Sequence, residues 1–155
     1  MNDKEKFIKQ GFLALLQKVP ASKKGAWGVM NAQEMVEHMS YSFRMANGKE
    51  SYELITPPEN VPRMQDFVRS EREFKPNTKN ILLPEVAIPA HHATMQASLE
   101  ELQIEINDFF AYFKQQPEAK LMNPFFGELN YNMWIDLLYK HCLHHAKQFE
   151  LIKQG

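Results

Sequence analysis

The stretch NYNMWIDLLYKHCLHHAKQFELIK, residues 130–153, carries apolar residues at three- and four-residue steps and predicts a helix from an Asn130 cap to about Lys153. Leu129 and Trp134 stand where a hydrophobic staple would close across that cap. At about 100° per residue from Tyr131, Trp134, Leu138, Phe149 and Ile152 fall in an arc of roughly 300° to 0°. His141 and His145, at roughly 280° and 320°, share that arc, while His144 lies at its flank near roughly 220° and leans toward solvent. Lys140 and Lys147 lie across the wheel, at roughly 180° and 160°.

Two imidazoles side by side in a core create a difficulty. Each neutral ring carries a donor and an acceptor that must find partners, and protonating one ring places a charge beside its neighbour. A divalent cation relieves both problems by taking a lone pair from each ring. Core histidines bonded to Tyr or Asp side chains have the same spacing, so both readings stand on the spacing alone. The chain has no HExxH motif, which excludes a zincin.

Working outward, the apolar pattern predicts three further helices. The first runs from about Asp3 to Val19, with Phe7, Ile8, Phe12, Leu15, Leu16 and Val19 on its stripe and Pro20 ending it. ASKKGAWG, residues 21–28, reads as a loop. Asn31 and Glu34 then form a capping-box pattern, with Met30 and Met35 at staple positions. That second helix carries Met35, Val36, Met39, Phe43 and Ala46, and closes at Asn47-Gly48. His38 stands on it at the edge of the apolar arc. Six of the nine prolines fall between Lys49 and Pro89, so a long regular element is not expected there. MQDFVRSEREF, residues 64–74, fits a short helix, and ILLPEVAIP, residues 81–89, an extended arm. A third long helix follows Pro89 to about Gln115, with Met95, Leu99, Leu102, Ile106, Phe109, Phe110 and Phe113 inward. His91 and His92 begin it as a polar helix start; only one of them can face inward, and they stand as reserve metal-ligand candidates. PEAKLMNPFFGELN, residues 117–130, reads as a loop. The expected fold is all-α: a single four-helix bundle domain over residues 1–155, with a long proline-rich crossover between helices 2 and 3.

Composition bounds the function. A formal charge of −1 gives no basis for nucleic-acid binding, and no apolar run reaches membrane-span length. A single cysteine, Cys142, forbids an intrachain disulfide, and the charged N-terminus lacks a signal-peptide pattern, so a cytoplasmic protein is expected. Cys142 reads as a small core filler. Trp27 and Trp134 read first as core packing and second as candidate pocket walls, with Tyr41 a third candidate wall.

One histidine on the second helix and HxxxH on the last resembles the DinB/YfiT-like superfamily of metal-binding four-helix bundles. WGVMNAQEMVEHMSYSF, residues 27–43, resembles the start of that superfamily's second helix, ending in its ligand histidine, here His38. NPFFGELNYNMWIDLLYKHCLHHAKQF, residues 123–149, resembles the last-helix region of an uncharacterised subgroup, in which FG, a Trp, YKH, HH and QF recur. The superfamily's second ligand on this helix commonly stands three residues before a Gln. Here that is His145 before Gln148. The subgroup often has a His before the loop proline, where this chain has Asn123 before Pro124.

The resemblance implies that His38, His141 and His145 hold a divalent ion, usually Ni²⁺ or Zn²⁺. It further implies a metal-dependent enzyme, a thiol S-transferase or a hydrolase. The expected partners are a small-molecule substrate, such as a low-molecular-weight thiol, and a second copy of the chain as a homodimer. The alternative is a non-enzymatic, stress-related, metal-binding dimeric bundle. No residue stands out as a general base.

Overall fold

The structure is a computed structural model that describes residues 1–76 and 88–153. The first helix, α1, opens on an Asn2–Glu5 capping box. It comprises Asp3–Lys6, a π-helical turn at Phe7–Gly11, and Phe12–Leu16. The wide turn ends at a glycine whose added Cβ would lie 2.9 Å from Phe7 Cδ1, so Gly11 leaves space for that ring. The helix stops at Leu16, short of the expected Val19. Three-residue turn bonds from Lys18 to Leu15 and from Val19 to Leu16 tighten its exit ahead of Pro20.

Helix α2, Ala32–Ala46, begins as its sequence predicts. Asn31 Oδ1 accepts the Glu34 N–H at 2.8 Å, and Glu34 Oε1 accepts the Asn31 N–H at 2.7 Å. A 3₁₀ turn at Pro58–Asn60 leads into α3, Val61–Arg69, which takes Pro62 in its first turn where a missing N–H costs no helical bond. The extended arm expected over 81–89 lies, up to residue 87, outside the described residues.

Helix α4, Met95–Gln115, starts later than expected. Thr94 is its cap and accepts the Ala97 N–H at 3.1 Å, so His91 and His92 precede the helix rather than begin it. A short antiparallel hairpin follows, β1 at Leu121–Asn123 and β2 at Gly127–Leu129, where a loop is expected from the sequence. Asn123 Oδ1 accepts the N–H groups of Phe125 and Phe126 at 2.8 and 3.0 Å. Gly127 then closes the three-residue turn at φ 81°, a left-handed conformation that favours glycine.

Helix α5, Tyr131–Gln148, is capped by Asn130. It ends five residues before Lys153 in a Schellman motif: Glu150 N–H bonds to the Lys147 carbonyl and Leu151 N–H to that of Ala146. Glu150 takes the left-handed position at φ 60°, an uncommon one for a residue with a Cβ.

The molecule is thus mainly helical, with a small two-stranded hairpin. Helices α2 and α4 pack along each other, and α5 packs on α1, α2 and α3. Their shared core includes Ile8, Phe12, Leu16, Met35, Met39, Phe43, Leu102, Ile106, Phe109 and Trp134. Each such side chain contributes about 1.5–3 kcal/mol through burial. No described helix is long and apolar enough to cross a membrane.

Candidate metal centre

Where α2 faces α5, three histidines converge. His38 Nε2 and His145 Nε2 each lie 3.0 Å from His141 Nε2. The ring centroids stand 4.7–5.1 Å apart. His145 is buried, while His38 and His141 keep part of their surface open.

A hydrogen-bond relay fixes the orientation of His145. Gln148 Nε2 donates to the Trp27 carbonyl at 2.9 Å, which identifies its other end as the amide oxygen. That oxygen lies 2.6 Å from His145 Nδ1 and can only accept, so Nδ1 carries the proton. A neutral His145 then presents a lone pair at Nε2, toward the other two rings. The loop feeding the relay is held close: Ala26 N–H bonds to the Gln148 carbonyl at 2.7 Å, and a Cβ on Gly25 would lie 2.8 Å from Gln148 Cγ.

All three rings are held neutral. Burial, with a smaller contribution from His144, pushes His38 down to about 4. Burial and the neighbouring histidines push His141 and His145 well below the ordinary imidazole value. Three neutral imidazoles suit zinc, nickel and similar ions. Two nitrogens at about 2.1 Å from one ion lie roughly 3.0–3.4 Å apart for the usual bond angles. The 3.0 Å spacings fit that range, and the group can hold a metal ion.

The surroundings were less visible in the sequence. Lys140, across the wheel from the core, is nevertheless only 7% exposed. Its ammonium donates to the carbonyls of Ser70 and Arg72, and Lys147 pairs with Glu73. These contacts hold the segment after α3 against α5, and the Phe74 ring reaches His141 and His144 at 6.2 and 6.0 Å. His144 therefore does not lean into solvent. It is half-buried between Phe74 and Trp27, whose ring lies 5.6 Å away.

Of the candidate walls, Trp134 lines a cavity of about 20 Å³ with His141, Ser42, Met45, Asn123 and Phe125. That volume holds about one water. Trp27 joins the relay through its carbonyl. Tyr41 packs instead on Tyr52 at 6.5 Å and is not among the residues lining that cavity. Cys142 is fully buried, and burial pushes its thiol pKa up, away from nucleophilic chemistry. Asn123 is committed to the hairpin turn through its side-chain oxygen.

No family model, curated protein or solved structure matches this chain.

Proposed function

We infer that the protein is a metal-dependent enzyme of the DinB/YfiT-like kind, acting on a small-molecule substrate as a thiol S-transferase or a hydrolase. The observation that carries this reading is the convergence of three neutral histidine Nε2 atoms at a partly open face. His38, His141 and His145 would be the ligands, and three protein ligands leave positions for a thiol or water. A Ni²⁺ or Zn²⁺ ion there would supply Lewis-acid chemistry, lowering the pKa of a bound thiol or water or polarising a carbonyl.

The chain's own contribution is orientation and exclusion of water. Gln148 holds the His145 proton at Nδ1, Phe74 and Trp27 cover the flank through His144, and Trp134 walls the cavity beside His141. The same reading takes the four longer helices as a four-helix bundle and the assembly as a homodimer.

The test is metal analysis of protein purified without chelator, followed by activity assays of the reconstituted protein against thiol–electrophile pairs and simple esters. At least one equivalent of Ni²⁺ or Zn²⁺ per chain, of which His38→Ala removes one, together with turnover that it abolishes, is expected. Metal at background, or full metal with no turnover of either substrate class, would overturn the reading.

A further inference from the structure

Because His91 and His92 precede α4, the divergence of adjacent helical side chains by about 100° does not apply to them. Their rings lie 4.2 Å apart, and both direct Nε2 at one oxygen, Glu101 Oε1, at 3.3 and 2.9 Å. Glu37 organises the pair from behind. Its Oε1 lies 2.7 Å from His91 Nδ1, and its carboxylate accepts the backbone N–H groups of His91 and His92 at 2.8 and 3.1 Å. The Ser98 hydroxyl donates to the same carboxylate at 2.8 Å, and Gln33 Nε2 donates to the His92 carbonyl at 3.0 Å. An ionised Glu37 can only accept, so the proton of a neutral His91 sits on Nδ1 and its lone pair on Nε2. A carboxylate behind a histidine in this way is the usual support of a metal-bound imidazole.

We propose that His91 Nε2, His92 Nε2 and Glu101 Oε1 form a second divalent-cation site, with a donor set suited to zinc, between α2 and α4. The three atoms lie within 4.8 Å of one another. Arg44 occupies Glu101 Oε2 at 2.9 Å, which leaves Oε1 to the cation. Arg44 also binds Glu105 at 2.9 Å, so the guanidinium charge is shared with a second carboxylate. His91 is 58% exposed and His92 31% at the side chain, open to an ion arriving from solvent. The site stands independently of the three-histidine centre, although Glu37 and His38 are adjacent on α2.

The test is calorimetric titration of the metal-stripped full chain with Zn²⁺, with far-UV circular dichroism checking that each variant is folded. Wild type is expected to take up two equivalents and His91→Ala/His92→Ala one. Glu101→Gln, which keeps the shape but loses the charge, should weaken one equivalent tenfold or more. Equal uptake by wild type and the double variant overturns the proposal and leaves the cluster as hydrogen bonds and ion pairs only. One equivalent in wild type that vanishes in the double variant upholds this site and instead removes the His38 centre.

Discussion

His145 donates from Nδ1 to Gln148 Oε1 at 2.6 Å, and this one bond decides which ring nitrogen faces the other two histidines. Replacing Gln148 with Ala should lower Ni²⁺ or Zn²⁺ affinity at the three-histidine centre by about 10–100-fold, the usual effect of losing such a support. Gln148→Glu keeps the acceptor but loses the donor to Trp27. It should hold metal nearly as well while altering Trp27 fluorescence. Competition titration against a chromophoric chelator separates the two outcomes.

Metal at the centre should stabilise the fold. In the His91→Ala/His92→Ala background, an ion at 100 times its Kd adds about 2.7 kcal/mol. For a chain of this size that raises Tm by roughly 5–10 °C. Adding His38→Ala or His141→Ala should abolish the shift, as read by differential scanning fluorimetry with and without Ni²⁺.

The acid response should report Glu105. Burial works to raise its pKa, but Lys49, Arg44 and Asn47 together outweigh burial and hold the carboxyl below its usual value. A folded pKa below the unfolded one contributes stability above the unfolded pKa, and this is lost as pH falls through the folded value. Glu105→Gln should destabilise the protein at pH 7 by about 1.5–3 kcal/mol, the usual worth of a hydrogen bond to a charged group, with Arg44 and Lys49 retaining Glu101 and Asp108 as partners. The gap from wild type should narrow as pH falls from neutral through and below the ordinary carboxylate range, as read by urea unfolding at each pH.

Asn123 offers a test of the hairpin turn, from a position that also lines the cavity beside His141. Asn123→Ala strands two buried or half-buried N–H groups and should cost about 1–3 kcal/mol. Asn123→Asp retains the acceptor oxygen and should recover most of that loss. Urea unfolding of both variants beside wild type measures the loss and its recovery.

Much of this architecture was legible because its signals are local. Asn31 with Glu34, and Asn130 with the stripe behind it, mark helix starts within a few residues of sequence, and the wheel separates His141 and His145 from their neighbours. The hairpin was harder to see because three-residue strands are too short to show a period of two. Its signal was the spacing of Asn123 and Gly127 around a three-residue turn. The third long helix has a Thr cap five residues past Pro89, and a start drawn from the proline alone falls too early, on His91 and His92. Burial of Lys140 and His144 had no local signal, because the covering segment at 70–74 lies about seventy residues away in sequence.

Gly25 shows how far a small change can travel. A methyl group there would press on Gln148 Cγ and on the Trp27 carbonyl, both at 2.8 Å, and so on the two ends of the relay. The missing side chain of a surface loop thereby bears on which nitrogen of a buried ring carries its hydrogen. Gly25→Ala should thus act as a tautomer mutation, disturbing the centre without altering any of its ligands.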